Sequence, residues 1–138
     1  MSKKIYLFIV LLAALALYSS CDENLHAQGK ENYVRLCSNC HGENGEGLQG
    51  LIPPLAGSDY LKNNKQMIAC IIKNGINGEL VVNGTKYNQG MPALVGNFTS
   101  ADISNISNYV LNAWGNNYGE LTFPEIEQQL AGCKRDNF

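Results

Sequence analysis

The chain has 138 residues, and its ten basic and twelve acidic residues give a formal net charge of −2. This length is typical of a single domain. Nucleic-acid binding needs clustered lysines and arginines, so the acidic balance argues against a nucleic acid as a partner.

The first 20 residues are interpreted as an export signal. Two lysines near the start precede an apolar run over 5–18, and two serines stand before Cys21. With these flanks the run is too short for a membrane-spanning helix. Removing residues 1–20 leaves eight basic residues (10 − 2) and 12 acidic residues, which is a net charge of −4. That charge weakly favours redox partners with a basic docking surface.

The position of Cys21 resembles a bacterial lipoprotein signal, in which the cysteine becomes the lipidated first residue. Tyr18 departs from that pattern, because an aliphatic residue usually stands there. Cleavage further on, for example after Ala27, and an uncleaved anchor are the alternatives. We expect residues 21–28 to form a polar tether, in which His26 is solvated. The protein is then exported to the periplasmic side of a bacterial membrane and lipid-anchored at Cys21.

A short helix is expected over 29–37, and it leads into a C-x-x-C-H sequence at residues 37–41. Two thiols on one turn can each add to a vinyl group of haem and form two thioethers. The histidine that follows can supply an axial nitrogen to the iron. The sequence therefore predicts one covalently bound haem c, attached at Cys37 and Cys40, with His41 as an axial ligand.

Two other interpretations of C-x-x-C are open. A zinc site needs a second pair of ligands at similar spacing, but Cys70 and Cys133 stand alone. A thioredoxin-like dithiol should follow a strand in a βαβ pattern, and no strand is expected before Cys37. The haem interpretation is therefore favoured over both.

From residue 29 onward the chain resembles the class I c-type cytochromes. That family has a small residue eight positions before the first haem cysteine and an aromatic residue four positions before it. Gly29 and Tyr33 occupy these places. The resemblance implies that both pack against the last core helix, where the glycine allows close backbone approach. It covers residues 29–115, the expected cytochrome domain, and leaves 116–138 as a C-terminal extension.

A glycine-rich loop follows the C-x-x-C-H sequence, and the family carries a P-x-L pattern after this loop. Pro53 and Leu55 match that pattern. The resemblance implies that the Pro53 carbonyl accepts a hydrogen bond from His41, which fixes the imidazole plane and raises its basicity. It also implies that Leu55 packs on the haem.

Two helices and a hairpin are expected next. Ser58 can cap a short helix over 59–62, and a second helix fits 64–74. Strand-like segments then flank Asn83-Gly84, the strongest short-range signal for a β-hairpin.

The hairpin leads to Met91, which we expect to be the sixth iron ligand, opposite His41. Met1 leaves with the signal, and Met67 lies on the apolar face of the expected helix. Met91 alone lies in a loop, where Pro92 favours extended backbone. Some small bacterial cytochromes look similar here, because a hairpin delivers their distal methionine.

The strongest helix signal covers 99–114, and a further helix begins at 122 and ends near Gly132. Cys70 and Cys133 are left without a role once the other three cysteines are assigned. In an oxidising compartment they are predicted to form a disulfide, which would contribute about 4 kcal/mol at most. A buried Cys70 with a free Cys133 is the alternative.

The sequence thus predicts a mostly α-helical monohaem cytochrome of four to five helices, with a small β-hairpin before the axial methionine and an extra C-terminal helix. One-electron transfer in a membrane-associated respiratory chain is the expected function, with redox proteins as partners. A six-coordinate iron leaves no site for a small-molecule substrate, and no nucleophile–base pair is visible, so an enzyme is not expected. A haem c electron-entry subunit of a larger oxidase, reductase or dehydrogenase and a five-coordinate haem sensor are the alternatives.

Overall fold

The structure, a computed structural model, describes Lys3 and residues 26–133. Apart from Lys3, the export signal lies outside the described residues, as do Cys21 and the first part of the tether. The elements are α1 (Ala27–Leu36), α2 (Ser38–His41), α3 (Asp59–Asn63), a 3₁₀ turn (Lys65–Met67), α4 (Ile68–Asn74), β1 (Leu80–Val82), β2 (Thr85–Tyr87), α5 (Ser100–Asn112) and α6 (Phe123–Gly132). The expected mostly helical fold with one small hairpin is confirmed. Within the described part of the chain, no helix is both long enough and apolar enough to cross a membrane.

Helices α1 and α5 cross in close contact. A Cβ atom on Gly29 would collide with the carbonyl oxygen of Asn105 and with Cβ of Tyr109. The rings of Tyr33 and Tyr109 lie 5.4 Å apart, and Tyr33 is fully buried. The first helix thus packs on the last core helix through a glycine, as the family resemblance implies.

The C-terminal extension belongs to the same hydrophobic core as the rest of the chain. Leu121 and Ile126 belong to the same hydrophobic cluster as apolar side chains of α1, α4 and α5, and Ile126 is fully buried. Asn108 on α5 fastens the start of the extension: its side chain donates to the Leu121 carbonyl at 2.9 Å and accepts from the Leu121 N–H at 2.8 Å.

Side chains cap the helices where the sequence indicates. The Ser58 hydroxyl accepts from the Leu61 N–H at 3.1 Å, at the start of α3. At α5, Thr99 and Asp102 form a reciprocal capping box. Hydrogen bonds from the Thr99 side chain and backbone lower the pKa of Asp102.

The predicted helix over 99–114 ends two residues early. Ala113 is extended, and Trp114 has a φ of 54°, in the left-handed region. The Trp114 ring packs 4.8 Å from Tyr33, and its Nε1–H donates to the Glu43 carbonyl at 3.1 Å. These contacts offset a left-handed backbone that costs about 1–2 kcal/mol.

The predicted helix over 64–74 is divided into the 3₁₀ turn and α4. The side chain of Gln129 lies at the division, where its Oε1 accepts from the Ala69 N–H at 3.1 Å and its Nε2 donates to the Lys65 carbonyl at 3.4 Å. Gln129 on α6 therefore forms hydrogen bonds with backbone groups that would pair internally in a continuous helix.

Candidate functional site

A cavity of about 420 Å³ lies between α1–α2, α4, α5 and the hairpin. Its walls are mostly hydrocarbon, with side chains of Ile68, Ile71 and Ile72 from α4 on one side. The six residues that the sequence singles out for haem binding all line it: Cys37, Cys40, His41, Pro53, Leu55 and Met91. Three separate segments of the chain are thereby brought to one pocket.

The first three of these residues share one turn of backbone. The Cys37 carbonyl accepts hydrogen bonds from the N–H groups of Cys40, at 3.1 Å, and of His41, at 3.0 Å. Both cysteines are free thiols, with Cys37 partly buried and Cys40 exposed. The turn therefore presents two thiols and an imidazole to the same cavity.

The thiol pair is not activated as a redox dithiol would be. Burial, with a smaller contribution from Cys40, raises the pKa of the Cys37 thiol to about 11. Reactive dithiols have a lowered thiol pKa instead. Among residues 26–133, no three cysteine, histidine, aspartate or glutamate side chains lie close enough to hold a metal ion together, so the zinc interpretation finds no second ligand pair there.

His41 is buried and faces the Pro53 carbonyl, with 3.4 Å between Nδ1 and that oxygen. Burial lowers the pKa of His41, and the contact with Pro53 opposes this only in part. The imidazole is therefore neutral at neutral pH. A proton on Nδ1, shared with Pro53, leaves the Nε2 lone pair free for a metal.

The backbone after His41 is held on both sides. The Tyr33 hydroxyl donates to the Gly42 carbonyl at 2.6 Å, and burial raises the pKa of Tyr33 well above its ordinary value, so it remains a donor. The Gly45 carbonyl accepts from the N–H groups of Leu55, at 2.8 Å, and Ala56, at 2.9 Å. This pairing carries Leu55 to the cavity.

Asn116 is a supporting residue that the sequence does not reveal. It is buried, and its side chain donates to the Leu55 carbonyl at 3.0 Å and accepts from the Gly57 N–H at 2.8 Å. It thus fixes the P-x-L segment from a point just beyond α5. An asparagine beside a glycine is typical of any turn, so no sequence signal distinguishes it.

Met91 enters the cavity from the opposite part of the chain. Its backbone forms an isolated antiparallel bridge with Ile76, through hydrogen bonds of 3.0 and 2.8 Å. Gly75, with a φ of 74°, lies against the Met91 carbonyl so closely that a Cβ atom would collide with it. No local signal in the sequence predicts this bridge.

The other described candidates for a sixth ligand lie elsewhere. Met67 borders a separate groove beside Cys70 and Cys133. His26 is not among the residues that line the cavity, and its Nε2 lies 3.1 Å from a carboxylate oxygen of Glu120. Of the two methionines that the structure describes, Met91 is the one at the cavity.

The hairpin closes the cavity on the Met91 side. Asp59 and Asn83 are paired reciprocally: the Asp59 N–H donates to Asn83 Oδ1 at 3.0 Å, and the Asn83 N–H donates to Asp59 Oδ1 at 2.7 Å. Asn83 and Gly84 both have positive φ, as a type I′ turn requires. The pairing fastens β1 to α3, so that Leu80 and Val82 contribute to the wall.

The structure joins Cys70 and Cys133 in a disulfide. Their Cα atoms are 5.5 Å apart, within the range that a disulfide can span. The bond connects α4, one wall of the cavity, to the end of α6.

These residues fit a covalently attached haem. Two thiols on one turn would supply the attachment points, a neutral imidazole and a thioether would supply ligand atoms suited to iron, and hydrocarbon walls suit a flat apolar macrocycle. The family model for cytochrome c matches residues 26–114. The chain belongs to the cytochrome c family. Its cofactor is therefore covalently bound haem c with iron, and members of this family carry electrons rather than catalyse reactions themselves.

Relatives of this cytochrome fall into two groups. A cytochrome c-552 of Thermus thermophilus is 29% identical over 117 residues, covering 82% of this chain and 73% of the relative. Another cytochrome c-552 of the same species is 31% identical over 93 residues, which cover 64% of this chain and 70% of the relative. The cytochrome c subunit of the alcohol dehydrogenase (quinone) of Gluconacetobacter polyoxogenes is 27% identical over 90 residues, which cover 64% of this chain and 19% of that protein.

Proposed function

We propose that this cytochrome is a one-electron carrier in which Cys37 and Cys40 hold the haem by thioethers and His41 and Met91 are its axial ligands. The observation that supports this most is the convergence of these four side chains on one apolar cavity. Met91 is drawn there from a loop that is distant in sequence from the C-x-x-C-H turn.

The haem iron supplies the electron-transfer chemistry by alternating between the ferric and ferrous states. The chain's own residues would set how readily it does so. His41 is held neutral, and its Nδ1–H faces the Pro53 carbonyl, which orients the ring. The soft sulfur of Met91 favours ferrous iron, so His/Met ligation gives a higher potential than His/His ligation. The hydrocarbon walls exclude water, which also disfavours the more highly charged ferric state.

The test of this ligation is Met91→Ala in the haem-loaded protein. We expect the variant to keep its haem but to lose the sulfur-to-iron absorption band of the ferric form. Its reduced form should bind carbon monoxide, and its potential should fall. The matched control is Met67→Ala, which removes a thioether from the separate groove and should leave the band intact. An unchanged spectrum and potential in Met91→Ala contradict the assignment and favour the sensor alternative.

We place this carrier on the periplasmic side of a bacterial membrane, with a lipid anchor at Cys21 and redox proteins as partners. The apolar run that ends at Ser19-Ser20-Cys21 supports export and lipidation. One acyl chain binds membranes only marginally, so a stable anchor implies at least two. The intact mass of the mature protein tests this: a chain that begins after Ala27 without added lipid mass contradicts it.

A second candidate function is that of an electron-entry subunit in a larger membrane complex. The similarity to cytochrome c subunits of alcohol dehydrogenase (quinone) favours it, although this chain matches only 19% of the first of those proteins. Gentle detergent extraction followed by size measurement separates the two functions. A free carrier runs at the size of one chain with its haem, whereas a subunit runs with its partners.

A further inference from the structure

Helix α6 is attached to α4 at two places. The disulfide joins Cys133, immediately after α6, to Cys70 in the middle of α4. Four residues before Cys133, Gln129 accepts from the Ala69 N–H at 3.1 Å and donates to the Lys65 carbonyl at 3.4 Å. The fully buried Ile126 fixes α6 itself in the core.

Helix α4 in turn holds the segment that carries Met91. The Ile72 carbonyl accepts from the Leu94 N–H at 3.3 Å, and Ile76, two residues beyond the end of α4, forms the bridge with Met91. Within the described part of the chain, segment 91–94 forms backbone hydrogen bonds with residues 72–76 only. The position of Met91 therefore follows the position of α4.

We propose that Gln129 and the Cys70–Cys133 disulfide are positioning residues for the sixth iron ligand, acting through α4 on Met91. This inference rests on the proposed His41/Met91 ligation. It assigns a role to the C-terminal extension, which extends beyond the part of the chain that the cytochrome c family model matches.

The length of α4 explains why it needs such support. It has seven residues, and helices this short are unstable without tertiary contacts. Segments held by few contacts open locally at a lower free energy than global unfolding requires. Releasing α6 leaves α4 with the core contacts of Ile68, Ala69 and Ile72 but removes its other supports. The release should therefore raise the population of states in which α4 has shifted, segment 91–94 has followed it and the thioether has left the iron.

The contacts that orient His41 do not include α6. His41 faces the Pro53 carbonyl, and the Tyr33 hydroxyl holds the adjacent Gly42. Loosening α6 should therefore affect the methionine side of the iron selectively. A general loss of stability would not have this selectivity.

The experiment measures how fast imidazole binds to the ferric, haem-loaded full chain, because imidazole enters only when the sixth position opens. We expect binding about tenfold faster in Cys133→Ser and faster to a smaller degree in Gln129→Ala. Gln129→Glu keeps an oxygen that can accept from the Ala69 N–H but loses the donor to the Lys65 carbonyl, so its imidazole-binding rate should lie between those of the wild type and Gln129→Ala. The sulfur-to-iron band should weaken in the same order.

The matched control is Asn108→Ala. It removes the two hydrogen bonds that tie Leu121 to α5 but keeps the disulfide and Gln129. We expect it to lower the free energy of unfolding without accelerating imidazole binding. Equal acceleration in Asn108→Ala and Cys133→Ser overturns the proposal, because it would show a general loosening.

The disulfide can also be opened in the wild-type chain, which covers the case in which Cys133→Ser fails to fold. The haem-loaded protein is reduced with a phosphine, alkylated at the two released thiols and reoxidised at the iron, while the thioethers survive. An imidazole-binding rate equal to that of untreated protein overturns the proposal. Met91→Ala is measured alongside to distinguish the two proposals. If this variant retains the sulfur-to-iron band, the His41/Met91 ligation is wrong. If it loses the band but opening the disulfide in the wild-type chain has no effect, only the positioning role is wrong.

Discussion

The two sides of the haem pocket are built differently. The histidine side, residues 29–57, is backed by α1 and α5, and its central ring, Tyr33, is fully buried. The methionine side, residues 59–94, consists of two short helices, a two-stranded hairpin and the two-hydrogen-bond bridge to Met91. The loop just beyond it is open to solvent, with Val95 88% exposed.

This difference indicates which side opens first. Moving the histidine side disrupts the main core, so its opening requires nearly the whole free energy of unfolding. On the methionine side, segment 91–94 is held to residues 72–76 by three backbone hydrogen bonds, so this segment can move without unfolding the core. With the proposed His41/Met91 ligation, a carrier built this way would hold its haem firmly on one side and retain an exchangeable ligand on the other.

The largest expected effect is on the methionine side, from Gly75→Ala. Its φ of 74° and ψ of −173° lie in a region that is essentially restricted to glycine and cost an alanine about 1–3 kcal/mol, and the new Cβ displaces the Met91 carbonyl. We therefore expect a total loss of about 3 kcal/mol and a much weaker sulfur-to-iron band. Gly57→Ala is the control, because its φ is 64° and nothing lies within 4 Å of a Cβ there. Denaturant unfolding and the ferric spectrum measure both effects. An intact band in Gly75→Ala would show that the bridge does not position Met91.

An intermediate effect is expected on the histidine side, from Tyr33→Phe. The variant keeps the ring contacts with Tyr109 and Trp114 but removes the hydrogen bond to the Gly42 carbonyl. We expect a loss of about 1 kcal/mol in the free energy of unfolding, with unchanged imidazole binding. Faster imidazole binding in this variant would contradict the separation of the two sides.

The smallest effect on stability is expected from Asn83→Gly in the hairpin. Glycine keeps the left-handed turn but removes the Oδ1 that accepts from the Asp59 N–H. We expect a loss of about 0.5–1 kcal/mol, together with somewhat faster imidazole binding. Lys86→Ala is the control on the same hairpin: its ion pair with Glu79, 2.9 Å long, is exposed and so worth little. If the two variants bind imidazole at the same rate, the hairpin does not influence the opening of the sixth position.

The histidine side was predictable because its determinants are local. Cys37, Cys40 and His41 lie on one turn, and Pro53 follows after a short loop, so spacing alone carries the information. The cytochrome c fold and its haem c cofactor follow from that part of the chain. The hairpin was also predictable, since Asn83-Gly84 encodes its own turn.

The rest depends on partners that are distant in sequence. The end of α5 could not be predicted, because Trp114 is held by Glu43, 71 residues away. The division between the 3₁₀ turn and α4 depends on Gln129, 60 residues from Ala69. The bridge between Ile76 and Met91 has no propensity signal, since single antiparallel pairs depend on the surrounding fold.

The contact between α1 and α5 bears on the order of events during synthesis. Gln28 and Asn105, which lie at this contact, are 77 residues apart in the chain. Closing a loop of that length costs roughly 4 kcal/mol of chain entropy, so α1 is not stabilised until α5 has been made. Cys37 and Cys40 follow α1 directly, so both thiols stay accessible during that interval, before the core closes around them.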